Sequence, residues 1–375
     1  MPIKIGDQIG DYEVTGTLGA GGIGQVYRVR HTISHRTEAM KVLLPDRLGT
    51  EEFADRFLRE IRVLASLDHP NIAALHTAFR HQGTLVMIME FVEGVNLRIK
   101  LAAGPITMGQ SLDYMRQVLS GLAYAHSNSV VHRDIKPSNI IIGPSDHVKL
   151  LDFGLAFRGH GSEITRTGLI LGSLLYMSPE QVKGERVDAR SDIYSVGVSL
   201  YQLLTGRPPI DGSGEYAIAS GHLRETPADP VTLNPNIPTE LSAIVLRSLA
   251  KAPSDRFQNA EEFNDALGRL STDETMTMLP AQVLQRDTSG LGRKKADQTP
   301  TFDRSTKTLT GASVLSDVTR ELAVFIGPIA KVVVNRASKQ AATLDELYAL
   351  VAKEIGAESG RRAFMATRAK YSVKD

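Results

Sequence analysis

The sequence predicts an α+β chain with a strand-rich first part, a helical second part and a small all-α module near the C-terminal end. Three observations carry this. Between residues 11 and 92, short β-branched or aromatic runs alternate with Gly and polar turns, the pattern of strands. From 107 to 270, apolar residues recur at helical spacing. Residues 271–312 are rich in Ser and Thr and lose hydrophobic periodicity, and residues 313–372 become periodic again.

Each element follows from its residues. "DYEVTGTLG", "GQVYRVRH", "TEAMKVLL", "IAALHTAFRH" and "TLVMIMEFV" read as strands. Among them, "GTEEFADRFLREIRVLASL" reads as a helix. Phe57, Ile61, Leu64 and Ala65 form its apolar stripe, and Asp68-His69-Pro70 ends it. "SLDYMRQVLSGLAYAHSN" and "DIYSVGVSLYQLLTG" read as apolar helices, the second closed by Gly206. The segment 271–312 reads as a flexible linker. Beyond it, Leu315, Val318, Leu322 and Phe325 share one helical face, and Pro328 can open a second helix at its first position. Thr343 and Glu346 form a capping-box pattern before a third helix, with Leu344, Leu347, Tyr348, Val351 and Ile355 on one side. In "VVHRDIKPSNIII", the apolar runs at both ends read as strands or strand edges around a polar cluster.

Composition excludes several classes. Lys+Arg is 43 and Asp+Glu 42, so the net charge of +1 gives no global pull toward nucleic acid or an anionic membrane. Arg293-Lys294-Lys295 is an isolated basic run that reads as a solvated linker patch. The chain has no Cys, so disulfides and thiolate metal sites are excluded, in keeping with a reducing cytoplasm. "LAVFIGPIAKVVV" is shorter than the ~20 apolar residues that span a bilayer. The N-terminal residues hold no continuous apolar run of signal-peptide type. The expectation is a cytoplasmic protein with no transmembrane segment and no nucleic-acid partner.

The chemistry gathers in a few short stretches. Gly19, Gly21 and Gly24 form G-x-G-x-x-G, followed by Val26. A dinucleotide site needs strand, glycines, then helix. Here the glycines lead into a second strand, which suggests a hairpin lid over a nucleotide. Lys41 sits inside an apolar strand pattern, and Glu60 in the following helix can partner its charge. A lysine so paired can hold phosphate oxygens. In "HRDIKPSN", Asp134 can orient a hydroxyl and take its proton, and Lys136 can neutralise charge on a phosphoryl group in transfer. Asn139 offers an amide oxygen to a hard cation, and Asp152 in "VKLLDFG" offers a carboxylate. Magnesium suits one or two such oxygens together with substrate phosphates.

Taken in order, these stretches resemble the signature set of a bacterial eukaryotic-like serine/threonine protein kinase, over residues 11–270. The resemblance implies a bilobal fold with a β-rich N-lobe and a helical C-lobe. It implies that Leu18, Gly19, Ala20, Gly21, Gly22, Ile23, Gly24 and Val26 cover ATP. Lys41, paired with Glu60, would hold the α- and β-phosphates; Asp134 would be the catalytic base, with Lys136 beside it. Asn139 and Asp152 would bind Mg²⁺, with Mn²⁺ as an alternative. Met89 to Val92 resemble the gatekeeper and hinge, with the Glu90 and Val92 backbones bonding adenine between Leu18, Val26, Ala39, Ile141 and Leu151. Glu180 in "MSPE" would pair with Arg256, and Asp192 would brace the catalytic loop. Lys136-Pro137 implies Ser/Thr specificity. Ser173 and Ile23 depart from the usual pattern, the first keeping the hydroxyl of the usual Thr. Residues 313–372 resemble a small helical module appended to bacterial kinases and other signalling proteins.

Two other functions share these motifs: a nucleotide-binding pseudokinase scaffold and a small-molecule phosphotransferase. A scaffold has no chemical need of Lys41, Glu60, Asp134, Asn139 and Asp152 together. The "SPE" and Arg256 elements speak for a peptide-binding lobe instead of a small-molecule site. Regulation is expected at Thr165 and Thr167, whose phosphates could pair with Arg133. Autophosphorylation is also expected at some of the linker residues Thr275, Thr277, Thr299 and Thr301, displayed to a phosphothreonine reader such as a forkhead-associated partner, with a homodimer serving trans-phosphorylation.

Overall fold

The computed structural model describes residues 3–20, 24–43, 58, 61–153, 173–212, 214–270, 312–326, 330–338, 341, 344–352, 354–355 and 358–367. Gly21, Gly22, Ile23, Phe57, Glu60, Thr165, Thr167, Pro328, Thr343 and the four linker threonines lie outside them.

The N-terminal part is a curled antiparallel sheet. Strands β1 (Gln8–Ile9), β2 (Tyr12–Ala20), β3 (Gly24–His31), β4 (Thr37–Leu43), β5 (Leu75–His81) and β6 (Thr84–Glu90) lie in the order β1-β2-β3-β4-β6-β5. Directly opposed residues of antiparallel strands share a face. Val26 opposes Lys41 and Lys41 opposes Met87; Ala39 opposes Met89. These residues line one face. The alternate positions Val29, Met40 and Ile88 are wholly buried on the other, with Val14 and Tyr27. Register shifts in β2 between Val14 and Gly16 and between Thr17 and Gly19 curl the strand pair that carries the glycines. The glycine segment joins two antiparallel strands, so the chain is not a dinucleotide-binding βαβ fold. Leu58 and Ile61–Leu64 are helical, in the stretch expected to form the N-lobe helix.

The helical part follows. Helix α1 (Leu97–Ala103) leads to α2 (Met108–Ser127), and α3 (Pro179–Lys183), α4 (Ala189–Thr205), α5 (Glu215–Arg224), α6 (Pro230–Leu233), α7 (Thr239–Ser248) and α8 (Ala260–Gly268) complete the lobe. Thr107 and Gln110 form a capping box at the start of α2, and Gly206 closes α4 with a left-handed φ of 77°. Ile193, Val196, Val198 and Leu200 of α4 are all fully buried against Tyr114, Met115, Val118 and Leu119 of α2. A small sheet, β7 (Val95–Asn96), β8 (Ile140–Ile142) and β9 (Val148–Leu150), carries the cleft-side residues. Ile140, Ile142, Val148 and Leu150 point into the core, so the intervening Ile141 and Lys149 face the other way.

One expectation fails here. The isoleucine run is a strand, but Val130 and Val131 are not. The Val130 N–H closes the end of α2 on Ala125 O at 2.9 Å, and the His132 and Arg133 N–H groups go to Asp192. Their donors are satisfied by a helix end and a carboxylate, which leaves them out of any ladder.

The C-terminal unit contains α9 (Ala312–Ile326), α10 (Ala330–Ala337), α11 (Leu344–Ala352) and α12 (Glu358–Thr367). Val318, Leu322, Val334, Tyr348, Val351 and Phe364 are fully buried in it. Tyr348 stacks on Phe364 at 5.0 Å and donates its hydroxyl to Glu321 at 2.8 Å. Among the described residues, no helix is long and apolar enough to cross a membrane.

Candidate active site

Lys41 reaches from the middle of β4 with its side chain 8% exposed, and its ammonium pairs with Asp152 Oδ1. Burial opposes charge on Asp152, yet Lys41, with Lys136 nearby, holds its carboxyl below the usual range. Asp152 has a left-handed φ of 53°, a conformation that L-residues adopt only when the surroundings hold it. Phe153 packs on His132, ring centroids 4.5 Å apart.

The loop 132–139 forms a connected polar network. Asp134 Oδ2 accepts from Lys136 Nζ at 2.7 Å and from Asn139 Nδ2 at 3.0 Å. Asn139 Nδ2 also donates to Asp134 O at 2.8 Å, so the amide oxygen of Asn139 is left for another partner. Lys136 Nζ further donates to Ser173 Oγ at 2.7 Å, which ties the loop to the segment after residue 172.

Beneath this network lies Asp192, fully buried in the first turn of α4. Its carboxylate accepts the N–H of His132 at 2.8 Å, the N–H of Arg133 at 2.7 Å and His126 Nε2 at 2.8 Å. Burial works against this charge, but His126 and the backbone donors hold the Asp192 carboxyl low. The arrangement explains how Arg133 keeps a left-handed φ of 69°. His132 is also fully buried, and burial lowers its pKa. The neutral ring donates from Nε2 to Leu151 O at 2.9 Å and accepts the Asp134 N–H on Nδ1 at 3.3 Å.

Glu180 and Arg256 form a second buried centre. Two parallel bonds join them, Nη1 to Oε1 at 2.8 Å and Nη2 to Oε2 at 2.9 Å. Arg256 also donates to Ala250 O, Lys251 O and Arg190 O. Gln181, next to Glu180, donates to Arg133 O at 2.7 Å, linking this centre to the backbone of the 132–139 loop.

The face that carries Lys41 also carries Val26, Ala39 and Met89, and the small sheet offers Ile141. Leu18 is half exposed at the end of β2, and Leu151 donates its N–H to Asn139 O. Gly19 and Ala20 pair with Val26 and Gln25, and Gly24 with Leu43. At the end of β6, the Glu90 N–H is committed to Ala74 O at 2.8 Å. The Glu90 carboxylate bonds Lys149 at 2.8 Å and the Ala74 N–H at 3.1 Å, and Val92 follows half-buried. Lys41, Asp134, Lys136, Asn139 and Asp152 are thus linked directly or through one neighbour.

A model of the protein kinase domain family matches residues 12–266. The chain belongs to the protein kinase family. The kinase is 36% identical to the serine/threonine-protein kinase PrkC of Bacillus subtilis over 319 residues, 81% of this chain and 49% of that one. It is 38% identical to the serine/threonine-protein kinase PknB of Mycobacterium tuberculosis over 270 residues, 70% of this chain and 43% of that one. The kinase thus spans about half the length, or less, of these curated relatives. A crystal structure of the PknI kinase domain of Mycobacterium tuberculosis superposes with a TM-score of 0.58 at 31% identity, covering 72% of this chain and 98% of that one. Residues 313–372 match a domain of unknown function (DUF8082).

Several groups that support this polar cluster have no signature in the local sequence. His126 and Lys149 drew no notice because their partners Asp192 and Glu90 lie 66 and 59 positions away. Ser195, which donates to Tyr176 O at 2.7 Å, looked like an ordinary helix residue. The one available signal was the density of small polar residues on an otherwise apolar α4.

Proposed function

We propose that this chain is an ATP-dependent serine/threonine protein kinase that transfers the γ-phosphate of ATP to Ser or Thr of proteins. The observation that carries it is the Asp134 carboxylate, held on Oδ2 by Lys136 and Asn139, together with the Lys41–Asp152 pair. Oδ1 of Asp134 is left for a substrate hydroxyl, which it orients and deprotonates. Lys136 neutralises charge on the phosphoryl group, and Lys41 holds the α- and β-phosphates with Glu60 as its partner. The glycine segment Gly19 to Gly24 covers the phosphates. Leu18, Val26, Ala39, Met89, Ile141 and Leu151 sandwich adenine, and the Glu90 and Val92 backbones bond it.

The donor set fits a hard divalent cation. Asn139 spends its NH₂ on Asp134, and Asp152 spends Oδ1 on Lys41, so each retains one oxygen. Among the described residues no three carboxylates or imidazoles gather into an all-protein cage. Two protein oxygens plus phosphates suit Mg²⁺, with Mn²⁺ as a substitute. Bound there, the cation supplies charge neutralisation at the phosphates. The domains read as a catalytic domain over 11–270, a linker over 271–312 and a helical module over 313–372. The cysteine-free composition suits the cytoplasm.

The test is incubation of purified protein with ATP and Mg²⁺, followed by mapping of phosphosites by mass spectrometry. Phosphate is expected on Ser and Thr only, and Lys41→Met protein is expected to carry none. An unmodified wild-type protein that also leaves added protein substrates unmodified sinks the reading.

Regulation belongs to the same proposal. A phosphate on Thr165 or Thr167 adds roughly −1.5 to −2 charge, which Arg133 beside the catalytic Asp134 can receive. Autophosphorylation at these sites, in trans within a transient homodimer, adds an ion pair between this segment and Arg133. The Thr165→Ala/Thr167→Ala double variant is expected to lose at least about tenfold in activity toward an added substrate. The comparison uses protein stripped by phosphatase and re-incubated with ATP, and equal rates overturn it. Thr275, Thr277, Thr299 and Thr301 are further sites, whose phosphates suit a forkhead-associated reader.

A further inference from the structure

Strand β9 carries a cation to the end of β6. Lys149 opposes Ile141 on the face of the small sheet turned away from the core. Its side chain is 15% exposed, and its ammonium donates to Glu90 Oε2 at 2.8 Å and to Ile72 O at 3.3 Å. The same Glu90 oxygen accepts the Ala74 N–H at 3.1 Å, and the Glu90 N–H goes to Ala74 O. The neighbouring residues 71–73 are laced to β9 through backbone. Leu150 N–H donates to Asn71 O at 2.8 Å, and Ala73 N–H donates to Leu150 O at 2.9 Å. Glu90 joins this lacing through its carboxylate. Beyond Leu151, the same run of chain reaches Asp152 and its pair with Lys41.

Glu90 needs that cation for a second reason. In the β4–β6 ladder it stands directly opposite Glu38, and directly opposed side chains share a face. Like charges so placed destabilise a strand pair. Glu38 is fully buried. Its Oε1 accepts from Arg36 Nη2 at 2.7 Å and bonds His76 Nδ1 at 2.5 Å. Its Oε2 meets no hydrogen-bond partner among the described residues, so this centre has no donor to spare for a second carboxylate. Arg36 and His76 answer Glu38, and Lys149 answers Glu90.

We propose that Lys149 is a positioning residue for the nucleotide: by holding the Glu90 carboxylate at Ala74 against the repulsion of Glu38, it fixes the backbone of residues 90–92 relative to β9. The inference rests on the proposed reading in which the Glu90 and Val92 backbones bond adenine. Without the Lys149 ammonium, the Glu90 carboxylate faces Glu38 with the Ala74 N–H to hold it. It then swings outward to water, and the backbone that meets adenine shifts with it.

The test reads adenine binding apart from phosphoryl transfer. In Lys149→Met, calorimetric titration is expected to show the Kd for adenosine and the Kd for ATP both raised about fivefold, the worth of a half-buried ion pair. The KM for a peptide substrate is expected to stay unchanged. Lys149→Arg keeps the cation and is expected to bind adenosine as wild type does. The deciding variant is Lys149→Met combined with Glu90→Gln. Its Gln oxygen still accepts the Ala74 N–H, and the repulsion from Glu38 is gone, so most of the lost affinity is expected to return. General damage would not be repaired by a second substitution. A folded Lys149→Met protein with wild-type adenosine affinity overturns the proposal, and so does a double variant that binds no better than the single one. A loss for ATP without a loss for adenosine also overturns it, because the effect then lies at the phosphates. The titrations need no turnover. Wild type that binds adenosine but transfers no phosphate fails the kinase reading alone, and the adenosine values still decide the role of Lys149. Wild type that binds no adenosine overturns both.

Discussion

Asp134→Asn is expected to lower kcat for phosphoryl transfer by ~10²–10⁴-fold, the usual worth of a general base, with nucleotide affinity unchanged. The geometry explains the size. Oδ2 of Asp134 faces two donors, Lys136 Nζ and Asn139 Nδ2. In the variant, the amide oxygen must take that place, because an NH₂ there would confront both donors. The NH₂ is then turned to the substrate hydroxyl, where an acceptor is required. The fold is spared, since every bond that holds the loop in place is kept: the Asp192 bonds to the His132 and Arg133 N–H groups involve backbone. The measurement is steady-state transfer to a peptide alongside direct titration of ATP. A loss confined to kcat marks an interaction made in the transition state. Near-normal turnover removes Asp134 from the chemistry.

The second large effect concerns stability. Glu180→Gln leaves the Arg256 guanidinium fully buried without its carboxylate, and breaking such a pair costs about 3–5 kcal/mol. The low end is expected here. A Gln oxygen still accepts one bond, and Ala250 O, Lys251 O and Arg190 O continue to surround the cation. Arg256→Met is expected to cost more, because those three carbonyls and the carboxylate all lose their donor. Chemical denaturation of both variants checks the order, and a reversed order contradicts this account.

The same pair predicts a pH dependence. Burial opposes charge on Glu180, but Arg256 and Ser191 hold its carboxyl below the ordinary glutamate range. A depressed folded-state pKa stabilises the fold above the unfolded value, and that contribution is lost as pH falls through the folded value. Wild type should therefore lose stability on acidification through the carboxylate range, and Glu180→Gln should lose less over the same interval. Denaturation midpoints followed from neutral pH downward measure the difference. Parallel curves mean that Glu180 is not responsible.

The strand segments, the two apolar helices α2 and α4 and the motif residues could be read directly because each rests on local pattern. Period-two and period-3.6 spacing are properties of consecutive residues. The glycine segment could be read as a strand–strand link for the same reason. The Val130–Val131 run misled, because two β-branched residues look like a strand whether or not a ladder is present. Only the chain returning as α4 brings Asp192 under their successors and takes the N–H groups that a strand would have offered.

The sequence alone determined which residues carry charge and oxygen donors in the order Lys41, Asp134, Lys136, Asn139, Asp152, and that the chain has an α+β character. It determined no distance among them. Tertiary structure decided that Lys41 meets Asp152 across 111 positions, that Asp192 serves the backbone of residues 132 and 133, and that Lys149 joins Glu90. It also decided that the Tyr194 hydroxyl meets His222 Nδ1. The physical reason is that these are buried or half-buried polar groups. Each must find a partner once water is removed, and which partner is near depends on how helices and sheets pack, a property that no window of consecutive residues contains.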